Sequence, residues 1–189
     1  MGKCGVTSLR TQLIPDWGVR MTGLAEAADH GPQGTGSGQG PESAHGDNCF
    51  GCGPANRAGV AMVSALVDGR LTGTCTFDEK HQGAPGLAHG GVVAAVLDEA
   101  SGTVPTHSGI PAVTAKLTVN YVKPAPLHRQ MAVSAHIDRR DGDRKLHIYA
   151  RLELDGELIA ESDAPFIVVT PEHFRAHGAK EGELPFLGV

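Results

Sequence analysis

The most chemically suggestive spacing in this chain lies in Gly86-Leu-Ala-His-Gly-Gly-Val-Val-Ala-Ala-Val-Leu-Asp-Glu-Ala100. A glycine turn leads into an apolar run, Val92 to Leu97, which two carboxylates, Asp98 and Glu99, then interrupt. The run predicts a helix that is apolar on nearly every face and therefore buried. A carboxylate on such a helix must be hydrogen-bonded, ion-paired or open to a cleft, because burial alone disfavours its charge. No Ser, Thr, Asp or Asn stands ready to cap the first turn; His89-Gly90-Gly91 occupies that place. Free N–H groups at a helix N-terminus attract negative charge. One helix thus offers oxyanion donors at its start and a carboxylate about two turns on. That pairing suits attack on an acyl carbonyl.

A second set of reactive side chains lies upstream. Cys49-Phe-Gly-Cys52 is a C-x-x-C, half of a zinc site or a redox pair, with His45 close enough to be a third ligand. No second Cys pair follows at zinc-ribbon spacing, and the context is not a strand leading into a helix. The expectation is therefore reduced thiols in a turn, with no bound metal.

The elements that must position these groups follow from composition and patterning. The chain has 189 residues, 40% of them hydrophobic, enough for one domain with a real core. A net charge of −5 disfavours nucleic acid as a partner. No apolar run approaches the roughly 20 residues that span a bilayer, and the N-terminus lacks an apolar core of signal-peptide length. A cytoplasmic protein with no membrane association is expected. Residues 1–45 include Gly31-Pro-Gln-Gly-Thr-Gly-Ser-Gly-Gln-Gly40 and read as a flexible glycine-rich segment. The folded domain is expected at 46–170, and 171–189 reads as a polar tail.

Within the domain, Val60–Leu66 and Leu71–Phe77 read as strands joined through Asp68-Gly69. The helix follows, ending around Gly102 to Pro105. Val113 to Tyr121 alternates as one strand; Met131–Asp138 and Leu146–Leu154 are two more. Glu157–Val169 is the last, broken or bulged near Pro165. The class is α+β: a curved antiparallel sheet of about five to six strands wrapped around one long helix. One helix covers little of such a sheet, and its free edge suits pairing with a second copy. A homodimer is expected.

His89-Gly90-Gly91 with Asp98 nine positions after the histidine, the segment Thr114 to Pro126, and Asn48-Cys-Phe-Gly-Cys-Gly-Pro-Ala-Asn56 together resemble the hotdog-fold acyl-CoA thioesterases, in particular their PaaI-like branch. The resemblance spans roughly residues 48–169. It implies hydrolysis of an acyl-CoA or acyl-carrier-protein thioester at a dimer interface, with pairing of dimers open. No cofactor is implied beyond the coenzyme A of the substrate. It assigns the backbone N–H of Gly90 to the thioester oxygen and Asp98, from the partner subunit, to general base or nucleophile. Thr114 fits as a hydroxyl near that carboxylate. His89 and Gly91 complete the helix-start motif, His89 as a group pinning the loop.

Some relatives place an Asn or Gln six residues before the histidine. Here that position is Gly83, with Gln82 beside it. Gln82, Gly83, Glu99, Lys123 and Arg144 are the candidate substrate contacts. Arg129, Arg139, Arg140 and Lys145 are comparable basic residues for the CoA phosphates. A hotdog protein that binds an acyl thioester or small aromatic ligand without turnover is the alternative.

Overall fold

In the computed structural model the described residues are 45–180. The flexible segment expected over 1–45 and the last part of the tail, 181–189, lie outside them, save His45 itself. Two strands open the domain, β1 (Val63–Val67) and β2 (Arg70–Thr76), and a 3₁₀ turn, Glu79–His81, precedes the helix α1 (Gly90–His107). Then come β3 (Ala112–Thr114), β4 (Thr118–Tyr121), β5 (Gln130–Asp141), β6 (Lys145–Leu154), β7 (Glu157–Val168) and a short helix α2 (Pro171–Ala176). The strands form one antiparallel sheet in the order β1-β2-β5-β6-β7-β3, with β4 also on β7. The sheet curls around α1, as expected. No helix among the described residues is long and apolar enough to cross a membrane.

The hairpins follow from local sequence. Asp68-Gly69 and Asp155-Gly156 each place both residues at positive φ (50° and 74°; 52° and 80°). That is the twist a two-residue hairpin needs, and Asp and Gly reach it at little cost. Along β6, Leu146, Ile148, Ala150 and Leu152 are all buried. On β2, Leu71 and Cys75 are buried while Thr72 and Thr76 are exposed. These inward rows meet α1 through Val93, Val96, Leu97, Ala100 and Val104.

Several expectations change. The helix is one-sided only in its first half: Val92, Ala94, Ala95 and Asp98 remain partly exposed and Gly90 and Gly91 are open to solvent, whereas Ala100, Ser101 and Thr103 to Thr106 are all buried. It also runs past Gly102 to His107 with Pro105 inside it. Hydroxyls along this stretch donate back to carbonyls one turn earlier, Ser101 to Leu97, Thr103 to Glu99, Thr106 to Gly102 and Ser108 to Val104.

The strand read as continuous from Val113 to Tyr121 is two strands, so the sheet has seven. The break expected in the last strand falls on its partner instead, and β7 is unbroken. Thr114 pairs Phe166 and Thr118 pairs Asp163, so three residues face two. Proline has no N–H to give the ladder, and the Pro165 carbonyl accepts from both Ala115 (2.9 Å) and Lys116 (3.3 Å). The tail, finally, begins as a helix with Pro171 in its first turn.

Leu97 has no exposed surface and packs where α1 meets the sheet. Leu97→Ala should cost roughly 2–5 kcal/mol of stability, read as a lower urea midpoint at unchanged slope.

Candidate functional site

The loop before α1 is held from both sides. His81 is buried; its Nδ1 accepts from the Asp78 N–H (3.2 Å) and its Nε2 lies 3.3 Å from the Gly59 carbonyl. The His81 carbonyl then accepts the His89 N–H (2.8 Å), and Ala88 donates to Ala125 in the proline-rich stretch after β4 (2.9 Å). Gly83 lies directly on this loop: a Cβ there would stand 2.8 Å from His89 Cα, so no larger residue fits without moving backbone. Gln82 bends inward on itself, its Oε1 accepting from the Gly86 N–H (3.2 Å). The amide that some relatives carry at position 83 thus has no room here.

His89 is the N-cap of α1. Its Nδ1 accepts the Gly91 N–H at 2.9 Å, so the ring closes the turn and one of the two glycine N–H groups is used internally. The Gly90 N–H has no partner among the described residues. Its neighbouring carbonyl is held by the Tyr121 hydroxyl, which donates to Gly90 O at 2.8 Å. Sequence reasoning missed Tyr121, reading it as one more apolar strand residue; it is 53% exposed. Gly90, Tyr121 and Lys123 line a cavity of about 300 Å³ with Val93 and Ile159 at its apolar wall.

Two turns on, Asp98 faces β3, and the Thr114 hydroxyl donates to its Oδ1 at 3.0 Å. Both line a second cavity of about 260 Å³, together with Glu99, Val113, Phe166 and Phe174. Glu99 points a third of a turn away, as a 100° step per residue requires. Its Oε1 is 2.8 Å from His45 Nδ1, and its Oε2 accepts from the Cys49 thiol at 3.2 Å. Cys52 joins the same group, its sulfur 3.9 Å from His45 Nδ1. Gly51 lets this turn lie on the Glu99 side chain, since a Cβ there would fall 2.3 Å from Glu99 Cγ.

Each group of this cluster shifts the protonation of its neighbours. Burial would lower the His45 imidazolium, but hydrogen bonds to Cys49 and Glu99 raise it to about 10. The hydrogen bond with Cys52, more than burial opposes, carries the Cys49 thiol down to about 3. Sequence spacing placed His45, Cys49 and Cys52 together. The fourth member, Glu99, comes from 50 residues beyond Cys49, a juxtaposition visible only in the fold.

The basic candidates divide. Lys123 pairs with Glu157 (2.7 Å) at the rim of the first cavity, Arg129 with Asp155 (2.7 Å) and Arg139 with Asp141 (3.3 Å). Arg144 sits in the β5–β6 turn, outside both cavities, and no ion pair to it or to Arg140 occurs among the described residues.

Residues 85–144 match the profile of the thioesterase superfamily. The chain is 37% identical over 93 residues to the acyl-coenzyme A thioesterase THEM4 of Mus musculus, an alignment covering 48% of this chain and 40% of that protein. It is 30% identical over 80 residues to acyl-coenzyme A thioesterase 13 of Homo sapiens, covering 41% and 56% respectively. The chain therefore spans about half the length of these curated relatives. Among solved structures, a thioesterase superfamily protein superposes with a TM-score of 0.60 at 30% identity, over 64% of this chain and 60% of that one. A phenylacetic acid degradation-related protein from Ralstonia eutropha gives 0.55 at 25% identity, over 61% and 90%.

Because Gly83 packs on backbone, Gly83→Ala should destabilise the loop by about 1–3 kcal/mol, the usual cost of overpacking. A thermal melt should show the drop, and faster amide exchange at residues 82–89 should localise it.

Proposed function

We propose that this chain, whose described domain is a hotdog domain of thioesterase-superfamily type, hydrolyses an acyl-CoA thioester to the free acid and coenzyme A. The observation that carries the reading is the division of labour along α1: an unbonded N–H at Gly90 and, two turns later, a carboxylate held by a threonine hydroxyl. The names of the relatives support coenzyme A as the thiol carrier, and an acyl-carrier protein is the other source of such a thioester.

The chemistry follows from charge. As the thioester carbonyl is attacked, its oxygen becomes an oxyanion. The Gly90 N–H, at the positive end of a helix, is already aimed outward and needs no reorganisation to receive it. Gly91 is excluded from that duty by its bond to His89. Thr114 donates to one oxygen of Asp98, which turns the other toward the cavity to take a proton from water or to attack the carbonyl itself. Either course ends with the acyl group on the water oxygen and a proton on the departing thiol.

One helix cannot bring both groups to one carbonyl. Eight residues at 1.5 Å each put Gly90 and Asp98 about 12 Å apart along α1. They also line separate cavities. The reading therefore needs two copies, each site taking Gly90 from one and Asp98 from the other. The uncovered side of α1 at Ala94 and Ala95 and the exposed Tyr121 and Val122 support such a contact. Lys123, at the rim beside Gly90, is the basic residue best placed for the nucleotide end.

Hydrolysis of short, long and aromatic acyl-CoAs, followed by release of thiol, tests this. Wild type should turn over at least one class, Asp98→Ala should lose about 100-fold or more in kcat, and Thr114→Ala should lose less. Turnover unchanged in Asp98→Ala would overturn the mechanism. No turnover of any acyl-CoA would favour the binding protein without activity, a reading supported by the missing amide at Gly83.

The shared site has its own test. Gly90→Pro and Asp98→Ala chains, each inactive alone, should regain about a quarter of wild-type turnover when unfolded and refolded together, since half the pairs then carry one intact site. Complementation that fails, with the mixed pairs shown to form, would put both groups in one copy.

A further inference from the structure

We propose that His45, Cys49, Cys52 and Glu99 bind one zinc ion, a structural site that ties the segment before β1 to helix α1. The four ligand atoms all lie within 4.8 Å of one another. Zinc bonds of about 2.0–2.3 Å in a tetrahedron require ligand atoms about 3.3–3.8 Å apart. The cluster already comes close: 3.9 Å from Cys52 Sγ to His45 Nδ1, 3.2 Å from Cys49 Sγ to Glu99 Oε2, and 2.8 Å from His45 Nδ1 to Glu99 Oε1. Seating an ion needs side-chain adjustments of up to about an ångström between ligand atoms.

The surroundings point the same way. The Thr106 hydroxyl spends its proton on the Gly102 carbonyl (2.9 Å), so toward His45 Nε2, 3.1 Å away, it can only accept. That fixes one imidazole proton on Nε2, so Nδ1, which faces the two sulfurs and the carboxylate, is the nitrogen that would ligate a metal after giving up its own proton. A ligand histidine is ordinarily oriented by such a partner on its far nitrogen. The turn holding the cysteines is itself braced, with Cys49 donating to Gly46 O (3.1 Å) and Gly53 donating to Cys49 O (3.0 Å). Glu99, only 9% exposed in its side chain, is reached by this turn because Gly51 has no Cβ.

Ligand chemistry selects the metal. Two sulfurs and an imidazole favour zinc over magnesium or calcium, and four protein ligands close a tetrahedron without a position for water. The site therefore holds structure and performs no step of hydrolysis. Its consequence lies in position: Glu99 adjoins Asp98, so an ion on Glu99 fixes the rotational setting of the helix turn that also presents Asp98. The inference does not depend on the thioester reading.

The test uses the full-length chain expressed with zinc in the medium, passed over chelating resin and measured by elemental mass spectrometry. One zinc per chain is expected, with a lower unfolding temperature once dipicolinate removes it. Cobalt(II) added to the stripped wild type should give the thiolate charge-transfer and strong visible bands of a tetrahedral site. Cys49→Ser and Glu99→Gln should lose stoichiometric metal, while Cys75→Ser, altering a buried thiol outside the cluster, should keep it. Three results would overturn the proposal: no zinc and no cobalt bands in wild type, zinc retained in full by Cys49→Ser, or a Cys49–Cys52 disulfide in protein purified without oxygen. The wild-type measurements decide the matter even where a variant fails to fold.

Discussion

The seating of one face of α1 in the hollow of the sheet decides where every reactive group in this protein points. Val93, Val96, Leu97, Ala100 and Val104 are the hydrophobic residues of the helix that lose their solvent to the core. Removing such side chains from water is the dominant favourable term in folding, and it leaves the helix no freedom to rotate. With those five positions turned inward, a 100° step per residue sends Asp98 toward β3 and Glu99 toward the Cys49 turn. The two neighbouring carboxylates thus enter different chemistries because their side chains leave the helix in different directions. Gly90 and Gly91 fall beyond the sheet, where their backbone meets solvent.

The helix start shows how little of a site needs to be side chain. Its geometry is carried by the His81 carbonyl, the His89 cap, the Ala88 bond to Ala125 and the Tyr121 hydroxyl on the Gly90 carbonyl. The first three satisfy backbone N–H groups that would otherwise be unpaired, the Tyr121 hydroxyl adds a second bond to a carbonyl of the helix's first turn, and a single N–H of the motif is left unbonded. His89 is occupied as a cap, which accounts for a histidine in the motif without asking it to move protons. Gly83 and Gly90 are glycines for unlike reasons. The first lies against backbone, whereas a Cβ at the second would meet only the Tyr121 ring at ordinary contact distance.

Much of the fold was legible because hairpin turns and period-two burial are local properties. Asp68-Gly69 and Asp155-Gly156 announced their turns, and the inward rows of β2 and β6 could be read from alternation alone. The helix was legible in place but not in extent, since its last turns rest on hydroxyls bonding to their own backbone around a proline. The Pro165 irregularity was placed on the wrong strand for an instructive reason. A proline's missing donor is felt by the strand opposite, and the pairing of residues 50 positions apart is not written in either segment. The same limit applies to the site. The Asp98–Thr114 pair was anticipated by position, but Tyr121 on Gly90 and Glu99 among the cysteines are products of the curl.

The bulge opposite Pro165 also bears on how the protein avoids its own kind. A long, straight, unpaired strand is a template on which further chains can add without end, the geometry of fibres. Here the outer strand is cut into runs of three and four residues, with three positions between them outside the regular ladder, two of which share the Pro165 carbonyl. Such a border can satisfy one neighbour over a short stretch but offers no continuous ladder to a queue of them. The hydrogen bond that a single proline cannot give thus interrupts the ladder this margin would otherwise offer.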